Sequence, residues 1–157
     1  MKRGLCIGTA LGVLLLFPLV LAGMQASEET NRDKVLATPG WQQKYDAFEP
    51  AAEMMEALKT RLGPDTRIDV YLGLWCPDSR NNVPPFIKIL DRLGASTPVR
   101  YFNSPRKASR DVQFYVEEMK VEKVPTFVVY RNGREIGRIV ENPKVGMLED
   151  LLDILFK

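Results

Sequence analysis

The 157-residue chain contains no histidine. That excludes Ser-His-Asp and Cys-His catalysis and any imidazole-ligated metal site. Cysteine is nearly as scarce, with Cys6 and Cys76 alone. Two cysteines so far apart make neither a disulfide framework nor a cysteine zinc site. Excess charge is also missing, because 22 basic residues face 20 acidic ones. A balance so close to neutral gives no reason to expect a nucleic-acid partner. Neither a repeat nor a low-complexity segment is present. What remains is a chain of ordinary single-domain length that is 45% hydrophobic, enough for a core without covalent staples.

The one long apolar run stands at the start. Lys2 and Arg3 precede an uncharged stretch from Gly4 to Met24, with Leu11–Leu21 its most apolar part. Pro18 would end an apolar helix just before the small residues of Val20-Leu21-Ala22. Residues 1–22 therefore read as a secretory signal peptide, with an uncleaved membrane anchor as the alternative. No cysteine follows the small residues, so a lipoprotein anchor is not expected. Cleavage after Ala22 would remove Lys2, Arg3 and Cys6. The exported protein would then be formally neutral and would carry a single thiol, Cys76, into a compartment that oxidises thiols. A periplasmic or otherwise extracytoplasmic location is expected, tethered to the membrane only if the leader is retained.

Residues 23–40 are polar and without period, and read as a linker to a domain spanning 41–157. Trp41 to Leu62 has a helical pattern divided by Pro50. Ile68 to Trp75 is a nearly continuous apolar run, as in a strand covered on both faces. Val83, Phe86, Ile87, Leu90 and Leu93 recur at helical spacing up to Gly94, with Pro84 and Pro85 expected to kink the helix. Pro98–Phe102 reads as a short strand and Val112–Met119 as a helix. Thr126–Arg131 and Arg134–Val140 flank Asn132-Gly133, a tight-turn signal that makes them a hairpin. Val145 to Leu155 closes the chain as a helix. The order α-β-α-β-α-β-β-α implies an α/β domain with a mixed sheet of about four strands and helices on both faces. The arginines and lysine at 100, 106, 107 and 110 read as a solvated basic face.

Cys76 lies where the apolar strand ends and the helix begins, in "LWCPDS". Pro77 suits a first helical position, since that residue's N–H would have no partner in any case. A helix N-terminus presents free N–H groups and a positive dipole end, which favour a thiolate. Ser79, one turn on, offers a hydroxyl to the same sulfur. Asp78 opposes them, since a second negative charge ~7 Å away in a half-wet site costs ~0.6–1.2 kcal/mol. Pro77 and Asp78 are thus the residues that tune the thiol.

Together "LWCPDS" and "VEKVPTFVVYRNG" strongly resemble the thioredoxin superfamily, over roughly Trp41 to Lys157. The resemblance implies a thioredoxin-like fold in which Pro125 is cis and faces the nucleophile Cys76. It also implies that the backbone of Val124 pairs with an extended substrate, with Trp75 as an aromatic wall and Thr126 beside them. Ser79 stands where dithiol members carry the resolving cysteine. Val70 stands where they bury a carboxylate, while Asp69 is one residue away and therefore on the opposite face. Both departures suit a single-cysteine protein. The function implied is monothiol disulfide exchange on protein disulfides or thiols, resolved by an external thiol such as a low-molecular-weight one. The alternative is a non-catalytic module that traps partners at the cis-proline edge. No cofactor or metal is called for, and a monomer is expected.

Overall fold

The computed structural model describes residues 28–106 and 119–157. The leader, residues 107 and 110 of the basic set, and all of the expected 112–119 helix except Met119 lie outside the described residues. The chain runs β1 (Glu28–Thr30), α1 (Arg32–Leu36), α2 (Trp41–Ala47), α3 (Ala52–Lys59), β2 (Thr66–Leu72), α4 (Pro77–Leu93), β3 (Val99–Asn103), β4 (Thr126–Arg131), β5 (Arg134–Val140) and α5 (Met147–Leu155). The strands form one sheet in the order β1-β3-β2-β4-β5. β2 runs parallel to β3 and antiparallel to β4, while β1 and β5 are the antiparallel edges. The fold is thioredoxin-like, with five strands in place of the expected four.

The fifth strand comes from the segment read as a linker. Glu28, Glu29 and Thr30 pair with Asn103, Phe102 and Tyr101. A three-residue edge strand is held by its backbone bonds to β3, so it needs no apolar alternation to form. Just behind it, Asn31 caps α1, its side chain accepting from the Lys34 N–H at 2.9 Å. Val35 and Leu36 of that short helix are buried in the main core.

β2 occupies the middle of the sheet, and its near-continuous apolar run has the expected cause: both faces are covered. Ile68, Val70 and Leu72 face the main core, to which all five described helices contribute. There Phe86 of α4 and Phe127 of β4 meet with ring centroids 5.0 Å apart. Full burial of each such side chain stabilises the fold by roughly 1.5–3 kcal/mol. The opposite face carries Tyr71, Phe102, Val121 and Val128. Asp69 shares that second face and is fully buried. Arg100 grips it with two bonds, Nε to Oδ1 at 2.8 Å and Nη2 to Oδ2 at 2.5 Å. Arg67 Nε lies 3.2 Å from Oδ1. Arg100 is therefore a structural partner for a buried carboxylate as well as a solvated basic residue, its side chain remaining 44% exposed.

Pro50, buried, separates α2 from α3. α4 continues through Pro84 and Pro85 as one helix of 17 residues, ending at Gly94 in the left-handed conformation. Asn132 and Gly133 both take positive φ, 51° and 79°, as a tight hairpin turn requires. Among the described residues, no helix is long and apolar enough to cross a membrane.

Candidate functional site

β2 stops at Leu72, three residues short of the expected end, because the backbone turns there. The Cys76 N–H donates to the Gly73 carbonyl at 2.9 Å, closing the turn that delivers Cys76 to the start of α4. The neighbouring end of β3 buttresses it. Leu74 N–H donates to Asn103 Oδ1 at 3.1 Å, and Ser104 N–H donates to the Leu72 carbonyl at 2.7 Å. The indole Nε1 of Trp75 donates to the Ser104 carbonyl at 2.9 Å. Trp75 is 45% exposed, so it walls the site and does not fill the core. Gly73 is needed beneath it, since a Cβ there would lie 2.9 Å from the indole Cε2.

Cys76 is the N-cap of α4, with Pro77 as first helical residue. The residue is 7% exposed, and its sulfur donates to the Val124 carbonyl at 3.3 Å. Val124 leads into Pro125 through a cis peptide bond. The two sequence motifs, 48 residues apart, thus meet at one sulfur–oxygen contact. In this geometry the sulfur takes no hydrogen bond from the first turn of α4, although a helix N-terminus makes such bonds available. A thiol can donate to Val124, whereas a thiolate cannot. The contact is therefore one that only the protonated sulfur can make.

Ser79 does something other than expected. Its side chain is fully buried, and its Oγ accepts the Gly73 N–H at 3.1 Å. No hydrogen bond joins it to Cys76. The hydroxyl ties the first turn of α4 back to the turn that precedes the cysteine. Thr126 also turns inward. It is buried and its hydroxyl donates to the Lys123 carbonyl at 2.7 Å, bracing the bend that carries Pro125 and not the cleft wall.

The cleft at Cys76 encloses about 360 Å³, with Trp75, Pro105, Val121 and Val124 as its apolar lining. Asp78, Glu122 and Glu141 bring negative charge to its rim, and Arg106 and Lys123 positive charge. Lys123 Nζ and Glu141 Oε2 pair at 2.7 Å, and that hydrogen bond raises the Lys123 ammonium above its ordinary range. Beneath the site, Val70 is fully buried in the main core, so no carboxylate underlies the cysteine there. Among the described residues, no group of three or more Cys, Asp or Glu side chains could hold a metal ion.

Sequence reasoning missed Ser104, Glu141 and Asn82. Ser104 acts through its backbone, and Glu141 through its backbone as well as its bond to Lys123, so no side-chain pattern reveals the first and only part of the second is a side-chain contact. Asn82 had one available signal, since its spacing of four from Asp78 puts both on one helical face.

The sequence family described as thioredoxin matches residues 23–151. Among solved structures, a protein of unknown function from Pseudomonas aeruginosa superposes with a TM-score of 0.58. The two are 17% identical, over 81% of this chain and 86% of that one. An HIV epitope-scaffold protein superposes at 0.55, with 18% identity over 81% and 85% of the two chains. A thioredoxin of Fasciola hepatica gives 0.44, with 17% identity over 64% and 90%. At such identities the likeness is one of fold.

Proposed function

Because this chain belongs to the thioredoxin family, we propose that it is an exported thiol–disulfide exchange protein whose only nucleophile is Cys76. The observation that carries the proposal is the 3.3 Å contact of Cys76 Sγ with the Val124 carbonyl beside the cis peptide. It sets a thiol next to a backbone edge in an open, partly apolar cleft, which suits an extended segment carrying a disulfide. The basic start, apolar core and small residues of positions 1–22 support export.

The chemistry follows from what surrounds the sulfur. Cys76 loses its proton to solvent, and the thiolate attacks one sulfur of a disulfide R–S–S–R′. A bond forms between the Cys76 sulfur and the sulfur borne by R, the substrate S–S bond breaks, and R′S⁻ departs as a thiolate that takes up a proton. Cys76 is the sole cysteine among the described residues. Ser79 cannot complete the cycle, since a hydroxyl is too weak an acid to act as a neutral-pH nucleophile, and its oxygen is committed to Gly73. A second, external thiolate R″S⁻ therefore attacks the sulfur borne by R, breaking its bond to Cys76, giving R–S–S–R″ and releasing the Cys76 thiolate.

The missing resolving thiol equally favours a second reading, in which the domain holds its partners as lasting adducts. One experiment separates the two. Adducts trapped from the native compartment should form with the wild-type protein and be absent with Cys76→Ser. Release by millimolar small thiols over repeated cycles supports exchange. Adducts that persist under that treatment support trapping. Failure of the wild-type thiol to form any mixed disulfide would refute both. A Ser79→Cys variant is expected to gain insulin-reducing turnover, because it supplies only the resolving step.

A further inference from the structure

Asn82 lies half-buried on α4, and its side chain reaches away from the helix to the segment that follows β5. Its Nδ2 donates to the Asp78 carbonyl at 3.0 Å, one turn back on α4, and to the Glu141 carbonyl at 3.1 Å. It also meets Asn142 Oδ1 at 2.9 Å. Two amide hydrogens thus serve three acceptors, and at least one is shared. Glu141 passes the connection on. Its N–H donates to the Pro125 carbonyl at 2.7 Å, and its carboxylate pairs with Lys123, two residues before Pro125. Glu141 holds φ at 59°, a left-handed conformation uncommon for a residue with a side chain.

These contacts close a ring. From Cys76 the ring follows α4 to Asn82, crosses by one hydrogen bond to Glu141, and by a second to Pro125. It returns through Val124 to the cysteine sulfur at 3.3 Å. The first turn of α4 is buried at Ser79 and the bend is buried at Pro125. Between them Asn82 is the side chain that bonds the helix to Glu141.

We infer that Asn82 is a positioning residue, which sets the distance between the Cys76 sulfur and the Val124 edge by tying the first turn of α4 to the Pro125 bend. The inference rests on the exchange reading above and adds a substrate consequence. A small disulfide needs only the sulfur. A disulfide borne on an extended peptide needs the sulfur and the Val124 edge in register together. Asn82 therefore favours peptide-borne disulfides over small ones. Displacements well under 1 Å pass unnoticed by the small reagent, whereas misplacement on the order of 1 Å costs an oriented reaction up to ~100-fold.

The test compares the rates at which full-length protein forms a Cys76 adduct with two probes. One is 2-hydroxyethyl disulfide. The other is an extended octapeptide whose central cysteine is disulfide-linked to 2-mercaptoethanol. Asn82→Asp, close in shape but without the amide donors, and Asn82→Ala should each lower the peptide rate ~10-fold. The small-disulfide rate should stay within about twofold, so the ratio falls; a loss of stability alone would lower both rates together and leave the ratio unchanged. Asn142→Ala removes only the third acceptor and should preserve the ratio. Equal losses for both probes, or an unchanged ratio, would overturn the inference. If the wild-type protein reacts with neither probe, the exchange reading fails, and amide hydrogen exchange at Glu141 decides the clamp by itself. Exchange at least ~10-fold faster in Asn82→Ala or Asn82→Asp supports the clamp, and unchanged exchange refutes it.

Discussion

Replacing Ser79 by alanine separates two roles that its hydroxyl could serve. In the folded protein Ser79 is fully buried, and its Oγ accepts the N–H of Gly73, itself buried, at 3.1 Å. Ser79→Ala removes the acceptor and leaves that donor without a partner in a place water does not reach. An orphaned buried N–H costs about 1–3 kcal/mol. For a domain of this size each kcal/mol moves the melting temperature by ~4 °C, so a fall of ~4–12 °C is expected. Equilibrium urea unfolding gives the same quantity as a lower midpoint at unchanged slope. The hydroxyl makes no bond to Cys76, so the rate of Cys76 alkylation by iodoacetamide should stay within about twofold of wild type, a margin of ~0.4 kcal/mol. A tenfold drop in alkylation with stability unchanged would refute the reasoning, because it would assign the hydroxyl to the sulfur and not to Gly73.

Three further outcomes are expected. Arg100→Met leaves the fully buried Asp69 with only Arg67 and should cost about 2–3 kcal/mol in urea unfolding; Asp69→Leu combined with Arg100→Met should recover most of the loss, and a double variant no better than the single one would contradict the pairing. Gly73→Ala places a Cβ 2.9 Å from the Trp75 ring and should force the indole off the Ser104 carbonyl, which peptide-adduct formation at less than about half the wild-type rate would register. Burial, reinforced by the negative charge of Asp91, pushes the Tyr101 phenol well above its ordinary range. The folded state then keeps a proton that the unfolded state releases near pH ~10, so stability is intact below that pH and falls as pH rises beyond it. Tyr101→Phe should flatten this alkaline decline, and an unaltered decline would exclude Tyr101 as its source.

Much of this architecture was legible in the residues, and the reasons differ from element to element. β4 and β5 appear at the expected bounds, because Asn132-Gly133 fixes their register from within the chain. The joining of α4 to Cys76 was legible from Pro77 and the period of the apolar positions. β1 and α1 were not, because a strand of three residues and a helix of five carry too little pattern to exceed that of a polar linker. Within the site, Cys76, Pro125 and Val124 converge as their motifs imply. Ser79 and Thr126 point elsewhere for a common reason. A short hydroxyl side chain bonds whatever backbone group the local turn offers, and the turn exists only once the sheet and α4 have packed. Trp75 walls the site as the resemblance implied, and the Ser104 carbonyl is what holds its indole at the surface.

Val70 puts an aliphatic side chain under the turn that carries Cys76. Among the described residues, the carboxylates of the cleft stand on its rim, at Asp78, Glu122 and Glu141. A molecule seated there would meet apolar walls at Trp75, Pro105 and Val121 and acidic groups only at its edge.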